Sequence, residues 1–559
     1  TRWTQHTMDS TFKTVSERIL KSYWDFYPAL ASSLGLHQYD GRLSNLSDSA
    51  IASRVAEATN HLASLKAIPA DTLGADERFD LTILEVNLRR EVLDYTELRI
   101  HEMNPEAMVW HIDPSPYILR DYAPLEVRAE ALASALSQAP RLLEHLAAHL
   151  MKGRAARQVL EAAIDSYEGM AMYYQQDVLE ALDEIESSAT HAHAMRSCRL
   201  AAEAVTAFVE TLKSLASTAS TQFAIGADRF AKLLSTSELV DTPLDTLLEM
   251  GRQDLRRNER RLEEVASAID ADAGVRAVAE MASSRHPKAD ALLIETADLL
   301  EEIRRFIVEH DLIGLPSDLR CKDVKTPAFM GWSFAAMDTP GGFETEATEA
   351  YYYVNPPREE WADEQKEEWL CSFSYGILRS MSVHEAYPGH FVQYLHTRTL
   401  TSSVRRTFWS YAFAEGWAHY VEEMMIEEGF GEGDPFAELG QLQDALTRNC
   451  RLICAIEMHS GGMTVERATQ FFVDHAGMEE TPARAEAVRG TFDPMYLTYT
   501  LGKLMFLRLR DDYKRMKGAG FSLREFHDLA LSFGEPPIPL LRAHMLEEEI
   551  RDPFQSDRC

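Results

Sequence analysis

Helical periodicity runs through most of the chain and constrains its fold more than any other feature. The segment 125–150, preceded by Pro124, spaces its apolar residues as a helix does. The segment 244–269 repeats this pattern after Thr242 and Pro243, a cap residue and a proline suited to a first helical turn. No repeat of fixed period occurs, which argues against a solenoid. We therefore expect a mainly α protein, a large multi-helix body in which two lobes flank a cleft.

The helical pattern is interrupted between about 314 and 360, where proline- and glycine-rich turns punctuate the chain. One aromatic run, EAYYYVN at 349–355, stands between these turns. Aromatic and β-branched residues bounded by turn signals favour a strand. We therefore expect a small β element here, just before the segment with the most informative chemistry.

Composition excludes several classes of protein. The chain has 56 Lys and Arg against 89 Asp and Glu, a formal net charge of −33, which disfavours nucleic acid as a partner. No uncharged apolar stretch reaches about 18 residues, so we expect no membrane span. The six cysteines are scattered and include no CxxC pair, so we expect thiols rather than a disulfide framework. Without a basic and apolar leader, the sequence favours a cytoplasmic protein, although a secreted or periplasmic form trimmed of its leader would look the same.

The segment 381–394, MSVHEAYPGHFVQY, carries the most informative chemistry. Zinc hydrolases bind metal through a His-Glu pair and a second His, because neutral imidazole suits Zn²⁺ and the carboxylate can take a proton from zinc-bound water. In the common HExxH form the two histidines share a helix face. Here His384 and His390 are six residues apart, which on a regular helix places them on different faces.

Pro388 and Gly389 offer a way to bring these histidines together. Proline interrupts the hydrogen-bond ladder of a helix, and glycine accepts backbone angles that other residues avoid. We hypothesise that the pair bulges the helix by two residues and restores a His-over-His arrangement, with Glu385 beside it.

A third ligand should come from another segment, leaving one open position for water. Glu415 is the candidate, because it lies in a strong helix at 408–428 among small residues that let another helix approach closely. These are Ala412, Ala414, Gly416 and Ala418. The alternative for Glu415 is a buried ion pair with Arg405 or Arg406. Four further acidic residues of this helix have the pattern of a solvated face: Glu422, Glu423, Glu427 and Glu428.

HEAYPGH and the AEGWAHYVEE helix together resemble the bacterial domain of unknown function 885 family. The resemblance extends over nearly the whole chain. Its supporting blocks are FYPALASSLGLHQYDGRLSNLS (26–47), AYYYVNPP (350–357), RLICAIEMHSGGMTVERATQFF (451–472) and DPMYLTYTLGKLMFLRLR (493–510). The ligand pattern is similar to that of the gluzincins, thermolysin-like zinc peptidases, and the family is similar to helical metallopeptidases.

The resemblance implies His384, His390 and Glu415 as ligands of one Zn²⁺ per chain, with Glu385 as general base. Peptide hydrolysis at zinc also needs a hydrogen-bond donor for the developing oxyanion. His459 and Tyr499 are the candidates for this role. For His459 a structural role is the alternative.

Three more residues are candidates for substrate binding. Arg489 is suited to a substrate carboxylate, which a guanidinium binds in bidentate fashion. The strand at 349–354, with Tyr353, is expected to pair with an extended substrate backbone, as edge strands do. Tyr496 competes with Tyr499 for a place near the substrate. Core packing or a solvated helix face is the alternative for Arg489, for both tyrosines and for the nearby Lys503.

The sequence therefore predicts an enzyme, a zinc-dependent hydrolase and specifically a metallopeptidase that cleaves short peptides. The chain divides into a helical region, 1–310, and a metal-binding catalytic region, 311–559, within one continuous body. Two alternatives stay open: a zinc amidase or esterase acting on a small non-peptide molecule, and a non-catalytic, metal-stabilised peptide-binding protein. The presence of Glu385 argues against the non-catalytic binding protein, because binding alone needs no carboxylate beside the first ligand. Substrate identity, the position of the cut, the physiological metal and the oligomeric state are left open.

Overall fold

The computed structural model describes residues 2–69, 71, 73–325 and 335–554. The fold is mainly α with one small sheet, as the sequence predicts. The helices before the sheet are α1 (Arg2–Phe26), α2 (Pro28–Ser33), α3 (Asp48–Lys66), α4 (Ala75–Leu93), α5 (Ile100–Met103), α6 (Ser115–Leu119), α7 (Leu125–Leu136), α8 (Ala139–Leu150), α9 (Arg157–Gln175), α10 (Asp177–Leu182), α11 (Ser188–Ala216), α12 (Ala227–Ser237), α13 (Leu244–Ile269), α14 (Gly274–Ser283) and α15 (Leu292–Glu309).

The strands are β1 (Lys322–Lys325), β2 (Ala335–Asp338) and β3 (Tyr351–Val354). The helices that follow are α16 (Asp363–Cys371), α17 (Tyr375–Glu385), α18 (His390–Thr397), α19 (Ser403–Thr407), α20 (Tyr411–Glu427), α21 (Pro435–Ile456), α22 (Val465–Ala476), α23 (Glu480–Phe492), α24 (Thr498–Lys517), α25 (Leu523–Leu531) and α26 (Ile538–Met545). Short 3₁₀ or π turns lie at His37–Tyr39, Asp94–Leu98, Glu106–Ile112, Glu457–Gly461, Pro494–Leu497 and Gly518–Gly520.

Of the two helices predicted in detail, one is confirmed and the other is divided into two. Helix α13 spans 244–269 as predicted, although Pro243 occupies the N-cap position rather than the first turn. The single helix predicted over 125–150 is two helices, α7 and α8, separated at Ser137 and Gln138. Pro140 in the first turn of α8 explains the break, because proline lacks the amide proton that a continuous helix would need.

The sheet has the strand order β1-β3-β2. Strand β3 pairs in parallel with β1 and antiparallel with β2, so that Tyr353 lies opposite Val324 on one side and Ala336 on the other. The predicted strand at this position is confirmed, but its predicted place at an edge is wrong. A strand paired on both sides has no backbone groups left for an extended substrate.

The chain forms two compact units. The first contains residues 1–225, 340–348 and 402–408, and the second contains 226–339, 349–401 and 409–559. The predicted boundary between 310 and 311 thus falls inside the second unit, which also carries every candidate site residue named from the sequence. Among the described residues, no helix is long and apolar enough to cross a membrane.

Candidate metal centre

His384 and His390 lie on two helices rather than on one bulged helix. Helix α17 ends at Glu385, the four residues 386–389 form a loop, and α18 begins at His390. The loop folds back onto α17, where the Gly389 N–H donates to the Val383 carbonyl (3.0 Å). The predicted bulge is therefore wrong, because the helix breaks after Glu385, although the His384 and His390 rings do come close, with centroids 4.9 Å apart.

Gly389 is required by the close approach of this loop to α17. A Cβ atom at this position would lie 1.7 Å from the carbonyl oxygen of His384, so no side chain fits. The preceding carbonyl, that of Pro388, accepts a hydrogen bond from Trp417 Nε1 (2.9 Å). Because Trp417 belongs to α20, this bond fixes the loop against the helix that carries Glu415.

The histidines and Glu415 converge at one point. The imidazole rings are perpendicular, with centroids 4.9 Å apart, and each Nε2 atom lies 3.5 Å from Glu415 Oε2. Zn–N and Zn–O bonds of about 2.1 Å at a tetrahedral angle place neighbouring ligand atoms about 3.4 Å apart. The two histidine–glutamate distances therefore match those of a zinc site.

Glu415 Oε2 provides an independent test of this fit. The atom is buried and has no hydrogen-bond partner among the described residues. An unsatisfied buried carboxylate oxygen is costly, and a cation between it and the imidazoles removes that cost. The alternative ion pair is not formed, since Arg405 binds Asp80 (2.7 Å) and Arg406 packs over Phe343.

Electrostatics couple the three groups strongly. Burial alone would raise the pKa of Glu415, but the two histidines hold it well below its usual range. Burial lowers the pKa of His390, yet the opposing effect of Glu415 prevails and raises it to about 10. The pKa of His384 is raised for the same reason. Without a metal, the cluster therefore attracts protons, for which a divalent cation would compete.

Each histidine is oriented through its other ring nitrogen. His384 Nδ1 donates to Glu422 Oε1 (2.6 Å), and His390 Nδ1 donates to the amide oxygen of Gln393 (2.8 Å). With a proton on Nδ1, each neutral imidazole carries its lone pair on Nε2, the atom that faces Glu415. Metal-binding histidines are usually held in this way.

Glu422 is a residue of the candidate centre that the sequence analysis does not identify. It was expected on a solvated face, but it is 1% exposed and also contacts His419 (3.2 Å) and Arg448 (3.0 Å). Burial would raise the pKa of Glu422, but these partners hold it well below its usual range. The available signal was spacing, because Glu422 follows Glu415 by seven residues, about two helical turns, on the same face.

The side chain of Glu385 is held in place by a hydrogen bond from the sheet. Its Oε2 atom accepts a hydrogen bond from the backbone N–H of Met337 in β2 (2.9 Å). The bond fixes the carboxylate at the C-terminal end of α17, directly after the ligand candidate His384. The role of Glu385 as a general base stays a prediction.

Tyr499 lies beside the cluster because α24 crosses α20 at very short range. A Cβ on Gly416 would lie 2.4 Å from the Gly502 Cα, so the crossing requires two glycines and confirms the close approach predicted from the small residues around Glu415. The Tyr499 ring stacks on His384, with centroids 6.3 Å apart. Burial and the charge of Glu415 raise the pKa of Tyr499 to about 12, so its hydroxyl remains a donor at neutral pH.

Arg489 is close to Tyr499, whereas Tyr496 is buried. The Arg489 guanidinium lies 5.8 Å from both tyrosine rings, pairs with Asp493 (2.9 Å) and leaves 35% of its side chain exposed. Tyr496 is 1% exposed, and its hydroxyl has no hydrogen-bond partner among the described residues. Tyr499, whose ring lies beside His384, is therefore the tyrosine nearer to the candidate metal centre.

His459, Tyr353 and Lys503 have structural contacts instead. His459 is 1% exposed, and its Nε2 donates to the Gly490 carbonyl (2.7 Å), which corrects its expected oxyanion role because that proton is already committed. Tyr353 is buried in the central strand and donates to Asp338 (3.4 Å), so it presents no surface for substrate. Lys503 is fully buried and pairs with Asp254 (2.7 Å).

Fold and site together define an α-helical protein with a His₂Glu candidate metal centre on three helices. The profile of a bacterial family of unknown function, DUF885, matches residues 28–545, and the chain belongs to this family. No curated protein matches the chain.

Two solved structures share the fold. A "putative lipoprotein of unknown function" from Shewanella oneidensis superposes with a TM-score of 0.80 at 22% identity, covering 96% of this chain and 99% of that one. A "putative lipoprotein" from Colwellia psychrerythraea gives a TM-score of 0.81 at 18% identity, covering 97% and 98%. At this level of identity the similarity concerns the fold alone.

Proposed function

We propose that the protein is a zinc-dependent hydrolase that cleaves short peptides. The observation that supports this most is the buried Glu415 Oε2, which has no hydrogen-bond partner among the described residues and lies 3.5 Å from the Nε2 atoms of both histidines. His384, His390 and Glu415 would hold the ion. When bound, zinc would polarise the scissile carbonyl and lower the pKa of a coordinated water.

Glu385 would carry the proton. Its carboxylate removes a proton from the attacking water and returns it to the leaving amine. Because Met337 N–H holds Oε2, the carboxylate is positioned before substrate arrives. A binding protein would have no need of a fixed carboxylate at this point, so this contact favours an enzyme.

Tyr499 and Arg489 would complete the site. The Tyr499 hydroxyl, protonated at neutral pH, donates a hydrogen bond to the developing oxyanion. Arg489 has a partly exposed guanidinium 5.8 Å from the Tyr499 ring, which suits a carboxylate of the substrate in addition to its partner Asp493. Entry of the peptide through a cleft between two lobes stays a prediction.

The decisive experiment compares metal content and turnover in matched variants. We expect about one zinc per wild-type chain in the proposed centre, loss of that ion in His390→Ala, and unchanged content in Glu385→Gln with turnover of a peptide library abolished. Glu427→Gln, an exposed carboxylate of α20 paired with Arg510, is the control and should keep both. Persistent turnover in Glu385→Gln would refute the assigned base.

The same assay separates the alternatives. Turnover of small amides or esters without turnover of peptides would assign a non-peptide amidase or esterase. Peptide binding without turnover in wild type and Glu385→Gln alike would assign a binding protein.

A second assay tests Arg489. We expect Arg489→Gln to raise the KM for peptides with a free C-terminal carboxylate about tenfold or more, while C-terminally amidated peptides are unaffected. An equal loss for both kinds of peptide would contradict carboxylate recognition.

The compartment is a separate proposal. The sequence favours a cytoplasmic protein, whereas the two structural neighbours are described as lipoproteins, which favours export. We propose export, and fractionation of cells that carry the native gene would decide between these locations.

A further inference from the structure

The first unit contains a second cluster of metal-ligating side chains, remote in sequence from the centre described above. His101 and Glu102 lie on α5, and His149 lies near the end of α8. One ligand atom from each lies within 4.8 Å of the other two, and all three residues are buried. The imidazole rings are perpendicular, with centroids 4.7 Å apart.

Three atoms of this cluster are buried and have no hydrogen-bond partner among the described residues. They are His101 Nδ1, His149 Nδ1 and Glu102 Oε2. Buried polar atoms are nearly always satisfied in folded proteins, so three such atoms in one cluster call for a common explanation. A cation bound by these three residues would give such atoms a partner.

The tautomer of His149 points to the same conclusion. Its Nε2 donates to the carbonyl of Leu46 (2.7 Å), so the neutral ring carries its lone pair on Nδ1. That atom lies 3.4 Å from Asp48 Oδ1 at the start of α3, outside hydrogen-bond geometry. Asp48 Oδ1 also accepts from Lys152 Nζ (3.3 Å), so the lone pair on His149 Nδ1 is the one without a partner. A proton on His149 would still leave His101 Nδ1 without a partner, whereas a metal ion would join His149 to His101 and Glu102.

Basic residues around Glu102 oppose a cation, which sets the expected strength of the site. Arg99 (2.6 Å) and Lys152 (2.7 Å) both donate to Oε1, which keeps the carboxylate ionised and fixed as a ligand must be. Arg154 Nε lies 3.2 Å from Oε2, but its side chain is half exposed and can move away. We therefore expect weaker binding here than at the first centre.

From this geometry we propose a second zinc site in the first unit, formed by His101, Glu102 and His149 with Asp48 as the fourth ligand. Two imidazoles with two carboxylates suit a borderline ion such as Zn²⁺. The Leu46 carbonyl is the partner that orients His149. With four protein ligands the site is closed, so its expected role is to tie α3, α5 and α8 together rather than to catalyse a reaction.

The test uses the full chain with the first centre removed, as His384→Ala/His390→Ala, and equilibrium dialysis against zinc. We expect one zinc per chain. Adding His101→Ala or His149→Ala should weaken binding at least about tenfold. Asp48→Asn should also weaken it, and because Asp48 is 79% exposed the chain should fold normally. The matched control is His111→Ala, which removes another buried imidazole of this unit and should leave binding unchanged.

Helix content by circular dichroism is recorded for every variant. Absence of zinc from the His384→Ala/His390→Ala chain would overturn the proposal, as would equal weakening by His111→Ala. Since the readout is made without the first centre, this proposal and the proposed hydrolase fail or succeed separately.

Discussion

Replacing Glu422 by Gln tests whether the candidate metal centre depends on the partner of its first histidine. Glu422 accepts a hydrogen bond from His384 Nδ1 at 2.6 Å and is buried with Arg448 as its main counter-charge. Gln is nearly isosteric and can still accept that bond, but it removes the negative charge. The substitution therefore isolates the electrostatic contribution of the carboxylate to zinc affinity.

The expected loss follows from two independent considerations. A hydrogen bond to a charged group contributes about 1.5–3 kcal/mol and a neutral one about 0.5–1.5 kcal/mol, so an amide that keeps the bond loses about 1–1.5 kcal/mol. Replacement of an outer-shell partner of a metal-binding histidine typically costs about 10–100-fold in affinity, or about 1.4–2.7 kcal/mol. The two ranges overlap near about 1.4 kcal/mol, so we expect zinc affinity to fall about tenfold.

Competition with a chromophoric chelator measures this affinity directly. Glu423→Gln is the matched control, since Glu423 is adjacent on α20, is also largely buried, and pairs with Arg257 and Lys503 instead of a histidine. We expect its zinc affinity to equal that of wild type. Unchanged affinity in Glu422→Gln, or an equal loss in Glu423→Gln, would refute the role assigned to the His384–Glu422 contact.

Two further predictions follow from neighbouring residues. Tyr499→Phe should lower kcat about 10²–10³-fold with zinc content unchanged. Tyr496→Phe is the control and should leave kcat unchanged, because the buried Tyr496 hydroxyl has no hydrogen-bond partner among the described residues. Equal effects of the two substitutions in steady-state assays would contradict the distinction. Lys503→Met should destabilise the chain by about 3–5 kcal/mol at pH 7, because it leaves Asp254 buried without its ammonium partner. Burial would raise the pKa of Asp254, but Lys503 and Arg257 lower it to about 2 from an ordinary 3.8. The lowered pKa contributes about 2 kcal/mol to the free energy of unfolding above pH 3.8, and this contribution is lost as the pH falls towards 2. Denaturant unfolding should therefore show the gap between Lys503→Met and wild type narrowing below about pH 4, and a gap independent of pH would contradict this account.

The ligand candidates could be predicted from the sequence because their chemistry is local and specific. A His-Glu pair, a second His and a Pro-Gly step leave few other interpretations, and the small residues around Glu415 correctly indicated a close helix crossing. The backbone conformation that brings the two histidines together could not be predicted from the sequence. Two separate helices with a folded-back loop and one bulged helix place His384 and His390 similarly, and only the structure distinguishes them.

The predictions that failed all depended on contacts between segments that are distant in sequence. Strand β3 was predicted correctly, but whether a strand is central or at an edge depends on which other strands pair with it, and β1 and β2 carry weak sequence signals. His459 looked available because nothing in its own segment shows that the Gly490 carbonyl lies 2.7 Å away. Glu422 looked solvated because the residues that bury it lie on other helices.

Helix α20 organises the candidate centre more than the HEAYPGH segment does. It contributes Glu415 and, two turns later, Glu422, so a single helix face supplies both the group facing His384 Nε2 and the group that holds its Nδ1. Trp417 of the same helix fixes the loop before His390. The crossing with α24, one residue after Glu415, then places Tyr499 against His384. The rotation of α20 about its own axis therefore sets the positions of the candidate ligands, the tautomer of His384 and the position of Tyr499 together. This explains why two histidines at an unfavourable spacing can still form a site.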